Sequence, residues 1–368
     1  MVHSGGYRIA IDHDRSRITG LRLIDPAAPH APGTTLLTFG YDKHGHLTEE
    51  TNSSGLPMRY AYDADGRITS WTDRNATTYW YTYDDRGRVV ATGGTGNALA
   101  STLTYDVVTR TTRVSDSLGH TRVYEHNEVL RLVRESDPLD NVTRQEWDPE
   151  HRLSTTTDAL GHITAYHYDQ DGRMASVVRP DDSVTRIDYN TLGLATTVTG
   201  PAGVMWSYAY DERGNRTSVA DGTGATTRFA YNNSGHLTSI TDPLGHRTRI
   251  ICDRAGLPVT TLDPAGAETR YERDPFGRPV ALTDPLGNVT RFEWTAEGKP
   301  ARRTAPDGSS ESWTYDGEGN CLSHTDAMGA VDRYEYTHFD LLSARTGPDG
   351  ARHTFTYDSE LRLTEVPP

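Results

Sequence analysis

Two sets of carboxylates in this sequence could do chemistry. "DADG" at Asp63 to Gly66 and "DQDG" at Asp169 to Gly172 open like calcium-binding loops. An EF-hand loop closes with a bidentate acid at its twelfth position, and those places hold Arg74 and Pro180. The second set is a matter of numbers. Fifty-one acidic residues could supply the two carboxyls roughly 5–10 Å apart that a glycosidase uses. Most of them, however, recur at the same turn position in copy after copy of a repeat. A position used in nearly every copy serves the backbone, and no copy carries a carboxylate pair out of step with the others.

Other reactive constellations are missing. There is no GxSxG, HExxH or Walker-type glycine loop. The histidines are scattered, often just after a turn glycine, as at His46, His120, His162, His236 and His246, where solvated turn side chains are expected. Cys252 and Cys321 have no metal-binding spacing and read as isolated thiols. The residues therefore assign no catalytic, cofactor-binding or metal site and call for no cofactor. The chain is expected not to be an enzyme. Its formal charge of −14 disfavours a phosphate backbone as partner. No apolar run approaches the ~18 residues of a membrane-spanning helix, and "MVHSGGYRIAIDHDRSR" lacks the features of a secretion signal. The sequons at Asn75, Asn141 and Asn288 follow from the liking of Asn and Thr for the start of a strand.

One set of side chains could bind a ligand. Tyr79, Tyr81, Tyr83, Tyr208, Tyr210, Phe229 and Tyr231 fall on one face of their strands, where aromatic rings could stack on the sugars of a cell-surface glycan. The competing expectation is that they stack on one another across the sheet. The pattern favours this second reading, because it runs on through copies where His126, Cys252 or Arg273 replaces the ring, whereas a binding site would be local.

The elements that carry these side chains repeat. Aromatic anchors, or their replacements, run from Tyr41 to Tyr357 at sixteen positions spaced 21 residues apart, with a single interval of 22 between Tyr83 and Tyr105. So strict a period leaves no room for a domain boundary. Each unit has two Asp-x-x-Gly turns. One is a connector such as "DPLG" at Asp242, and the other follows the anchor, as in "DERG" at Asp211. Asp opens such a turn, Pro fits its second position, and Gly takes the backbone where φ is positive. Between turns lie six or seven strand residues rich in Thr, Val, Ile and Tyr. Thr290, Phe292 and Trp294 share one face, with Val289, Arg291 and Glu293 on the other.

The expected fold is all-β: tandem 21-residue hairpins forming one long curled antiparallel sheet, a partial hollow shell or spiral barrel. Laid flat, some 32 strands at ~4.8 Å would span about 150 Å, far more than an open twisted sheet sustains. Rolled once, they would make a hoop roughly 50 Å across. An apolar share of 35% and a mean hydropathy of −0.66 argue against a thick core. Residues 1–33 read as a worn N-terminal copy. Residues 34–368 read as about sixteen repeats in one continuous array, expected to be truncated because it stops mid-unit at "LRLTEVPP".

"YDADGRITSWTDRNATTYWYTYDDRGRVV" (Tyr62 to Val90) and "DPLGNVTRFEW" (Asp284 to Trp294) closely resemble the YD repeats of Rhs proteins, which are also found in polymorphic toxins, the C component of insecticidal toxin complexes and teneurins. The resemblance implies a hollow β-shell enclosing a C-terminal toxin or other passenger, in a secreted or cell-surface parent. The family's C-terminal core, rich in "DPxGL" and responsible for self-cleavage, has no counterpart here, since "DPLGN" and "DPAGA" lack the Leu after Gly. No catalytic residue of the family carries over.

Overall fold

The computed structural model describes residues 8–24 and 30–365. Part of the worn first copy, residues 25–29, and the first seven residues lie outside that description. Thirty-three strands form one antiparallel sheet, each pairing with the next in sequence, from Arg8–Asp14 against Arg17–Ile24 to Leu342–Thr346 against Arg352–Thr354. A short pair, Thr356–Tyr357 with Leu363–Glu365, follows. The described residues contain no α-helix, only three short 3₁₀ turns at Thr95–Asn97, Pro201–Gly203 and His338–Asp340.

The turns form as their chemistry dictates. After the anchor Tyr62, the Asp63 amide donates to the Arg67 carbonyl at 3.0 Å and the Gly66 amide to the Asp63 carbonyl at 3.1 Å. Gly66 has φ 78°, which costs a residue without Cβ nothing. The extra residue appears as a bulge between Ala61 and Tyr62, and the same bulge recurs at the other anchors, for example Glu146/Trp147 and Glu293/Trp294, except Tyr105, whose hairpin pairs in unbroken register. Strand parity holds as well. In Val289–Trp294, Arg291 and Glu293 are exposed, while Thr290, Phe292 and Trp294 are half-covered.

The sheet is a single layer with no thick core. Its accessible surface is 22153 Å², whereas a solid globule of 40.7 kDa would expose only about 15,000 Å². Among the described residues the buried apolar side chains are Leu23, Ala98, Ala281 and Ala344, and the largest one wholly shielded is Thr77. Stability must therefore come from the ladder and from neighbour-on-neighbour contacts, as in other repeat arrays.

The ribbon overlaps itself, unlike the expected single hoop. Its first connectors touch turns 244 residues further on, Ser53 with Glu297 and Arg74 with Glu318. At 21 residues per repeat that is between eleven and twelve repeats per circuit, about 23 strands, or a ring roughly 35 Å across at ~4.8 Å per strand. The coil is tighter than 50 Å because an early edge and a late edge find complementary turns and lie on each other instead of spreading.

Candidate functional site

The anchors do more than stack. Each sends its polar tip to the backbone of the preceding repeat, onto the carbonyl of the residue that opens the second strand of that hairpin. The hydroxyl of Tyr62 donates to the Leu47 carbonyl at 2.8 Å, Tyr168 to Leu153 at 2.9 Å and Tyr336 to Cys321 at 3.0 Å. Where the sequence departs from Tyr, a donor remains. Trp147 and Trp294 use Nε1, to Leu132 at 2.8 Å and Pro279 at 2.7 Å. Arg273 puts Nη2 on Pro258 at 2.8 Å, and the Cys252 thiol reaches Leu237 at 3.5 Å. His126 sets Nδ1 3.3 Å from the Arg110 carbonyl. The replacements that looked like gaps in an aromatic ladder thus keep the capacity to reach a carbonyl of the preceding hairpin. At most anchors that hairpin carries a bulge that disrupts the ladder locally, whereas the Arg110 carbonyl lies in a hairpin without one and also accepts the His126 amide.

The rest of the "YDxxGR" motif completes this stitch. The Asp63 carboxylate accepts from the Asp65 and Arg67 amides and from Arg67 Nε at 2.7 Å. The Arg67 guanidinium then lies 4.8 Å from the centre of the next anchor ring, Tyr83. Arg88 over Tyr105, Arg152 over Tyr168 and Arg173 over Tyr189 repeat the arrangement at 4.4–4.9 Å, and each such contact adds roughly 0.5–1 kcal/mol at an exposed site. Several histidines after the turns bond the turn carboxylate as this Arg does. Nδ1 of His46, His162 and His246 lies 2.9–3.0 Å from the turn carboxylates of Asp42, Asp158 and Asp242. These rings are bonded to their turns yet stay open to solvent, as expected of turn side chains, with His162 and His246 55% and 59% exposed.

These contacts set the charge states. Burial pushes the Asp42 carboxyl up, but the amides of His46, Gly45 and His44 and the His46 ring outweigh it and bring it down to about 2. At Asp63 the Arg67 amide leads, and the group again sits below the ordinary carboxylate range. Burial pushes both thiols up, which favours the unreactive protonated form. No cluster of three His, Cys, Asp or Glu fit to hold a metal occurs among the described residues, and none of their helices is long and apolar enough to cross a membrane. A hollow of about 660 Å³ on the charged face is lined by Thr104, Arg113, Val123, Glu125, Arg134 and Ser136, with Arg134 paired to Glu125.

The seven aromatics fall into two groups that the fold keeps apart. Tyr79 and Tyr81 meet edge to face at 5.3 Å, Tyr79 stacks on Trp71 at 5.9 Å, and Trp71 Nε1 donates to the Tyr81 hydroxyl at 3.3 Å. Tyr79 also donates to Thr92 at 2.8 Å and Tyr83 to the Ile68 carbonyl at 2.6 Å. In the second group Tyr210 and Tyr231 stitch to Ala195 and Arg216, both at 2.9 Å. Arg216 also lies over Phe229, and Tyr208 stands opposite Val219. Every anchor hydroxyl of the seven is engaged with the protein.

Phe339, which nothing in the residue pattern singles out, joins the first group from the other coil. Its ring meets Trp71 and Tyr79 edge-on, each at 6.3 Å, and its tip fills the space beside Gly94, where a Cβ would come within 2.2 Å of it. Of the residues that receive it, only Gly94 lies within the 22-residue interval between Tyr83 and Tyr105; Trp71 and Tyr79 precede it.

Comparison with known proteins agrees with this geometry. The teneurin YD-shell family model matches residues 34–252, more than half of the chain. The RHS repeat model matches 253–289, 274–310 and 315–352. No curated protein matches the chain. Among solved structures, the Photorhabdus luminescens Tc holotoxin pore superposes with a TM-score of 0.73 at 13% identity, over 97% of this chain and 22% of that one. A crystal structure described as TcdB2–TccC3–TEV gives 0.58 at 14%, over 97% and 24%. The chain thus spans less than a quarter of the length of those proteins, and at such identities the likeness is one of fold. By its repeats and the family model that covers most of them, the chain belongs to the teneurin YD-shell family.

Proposed function

We propose that this chain is a stretch of wall from a hollow YD-repeat shell, whose parent is an Rhs-like polymorphic toxin or cell-surface protein that encloses or presents a C-terminal passenger. The observation that carries this reading is a one-layer sheet coiled on itself, with 22153 Å² of accessible surface and no dense centre among the described residues. Such a wall works mechanically. Its backbone bonds run from hairpin to hairpin, so a passenger inside meets few free strand edges to pair with. The chain performs no reaction in this reading, and its place is that of the parent, secreted or at the cell surface.

The test is an unfolded reporter peptide appended after Pro368, exposed to protease alongside the same peptide free in solution. Slower cleavage of the appended peptide, with X-ray scattering of a hollow particle, supports the shell; equal cleavage with scattering of a solid particle rejects it. Glycan-array binding that disappears in Tyr208→Ala plus Tyr210→Ala, with the β-sheet signal intact, would instead make the aromatic face an adhesion surface.

A further inference from the structure

The overlap of the two coils is selective, and its chemistry shows how. Three late turns each present a Glu at their third residue: Glu297, Glu318 and Glu360. Each carboxylate accepts the backbone amide of the second residue of an early connector: Ser53 at 3.1 Å, Arg74 at 2.6 Å and Ser117 at 3.0 Å. The hydroxyls of Ser53 and Ser117 add bonds to the same carboxylates. Arg74, its side chain only 9% exposed, also bridges Glu318 and Glu50. The fourth late turn carries Phe339 at the third place, and its partner connector offers the Gly94 hollow. Beside it, the Leu99 amide donates to the Ser359 carbonyl at 2.7 Å.

Proline at a connector's second place would remove the donor. The four overlapped connectors have Ser53, Arg74, Thr95 and Ser117 there, whereas eight of the eleven later connectors, from Pro138 to Pro348, have proline. The matching bias falls on the other partner. Of the twelve post-anchor turns before Thr295, one alone, with Glu150, has Glu at the third place, and Glu150 is turned to Arg152 in its own turn.

We infer that these two positions, a connector residue with a free amide and a post-anchor Glu, specify which stretches of a YD array lie on each other, and so set the circumference of the coil. A prolyl connector still makes its own turn but cannot be clasped. The Pro-rich edge from Asp137 to Gly350 is thereby closed to a further coil that relies on this carboxylate grip. The inference concerns how the wall meets itself and stands whether or not a passenger is enclosed.

The experiment puts proline where the other connectors already have it. Ser53→Pro plus Ser117→Pro is compared with Ala159→Pro plus Ala327→Pro, two later connectors that the carboxylate grip does not clasp. The first pair should raise hydrogen exchange at the Leu99 amide at least tenfold and lengthen the particle in X-ray scattering, with the β-sheet circular dichroism unchanged. The second pair should change neither. Unaltered exchange at Leu99 in the first pair, or equal opening in the second, overturns the inference. Should the first pair fail to fold, Glu297→Ala plus Glu360→Ala decides, because it leaves the backbone untouched: exchange at Leu99 must rise, and unchanged exchange overturns the inference.

Discussion

The repeats from Asp137 to Trp294 and those in the overlap obey the same 21-residue rule but are held by different means. In the first stretch, repeats bond only to their sequence neighbours, through ladder pairs, anchor stitches and Arg-on-ring contacts. Turn tips stand in solvent: Leu139 and Leu160 are 82% and 81% exposed, while Leu118, whose turn is clasped by the second coil, is 42%. In the overlap, bonds join residues more than 240 apart, and the local rule gives way to allow it. At the turn that meets the Gly94 connector, Phe339 takes a φ of 64° at the third place and Asp340 one of 60° at the fourth, where most copies have glycine. Regularity builds the wall, and departures from it decide where the wall meets itself.

Acid should have the largest effect and should separate the two stretches. Asp42 and Asp63 are held below the usual value of 3.8, Asp42 at about 2, so the stability they lend is complete above about pH 4 and is lost as pH falls through their folded values. Glu297 starts from a higher value, 4.5. Burial raises it, but the Ser53 hydroxyl and amide and the Arg74 charge hold it lower, and its share begins to fade below about pH 4.5. A descending titration should therefore expose the Leu99 amide to exchange before the β-sheet dichroism falls toward pH 2; simultaneous loss would mean that the two stretches do not differ. Tyr189→Ala, in the free stretch, removes the stitch to Met174 and the ring under Arg173. It should cost about 3 kcal/mol in urea unfolding without raising exchange at Leu99. Gly94→Val drives a side chain into Phe339 and should cost about 2 kcal/mol, read as selective loss of protection at Leu99. Tyr189→Phe loses the hydroxyl alone, about 1 kcal/mol, and Tyr189→Trp should recover most of that, since Trp147 and Trp294 make the same bond.

Much of this architecture was legible in the residues. Turn positions, strand parity and the all-β class follow from forces acting within a few residues of each Asp-x-x-Gly. The anchor was recognisable as a position but not as a donor. Tyr, Trp, Arg, His and Cys look unlike one another until the carbonyl 15 or 16 residues back comes into view. The candidate aromatics were likewise visible as a face, while the engagement of their hydroxyls depends on the bulge in the preceding hairpin. Phe339 had no local mark at all; its partners are Trp71, Tyr79 and Gly94.

By itself the sequence determined a ribbon. Local turn chemistry every ten or eleven residues permits a long antiparallel sheet, and low apolar content denies it a solid core. The tertiary structure alone decided how tightly the ribbon winds, because small twists between strands add up over a whole circuit and no single repeat contains their sum. That sum is fixed where Ser53, Arg74 and Ser117 meet carboxylates 243 or 244 residues away, a distance over which residue spacing carries no information until the chain has curled.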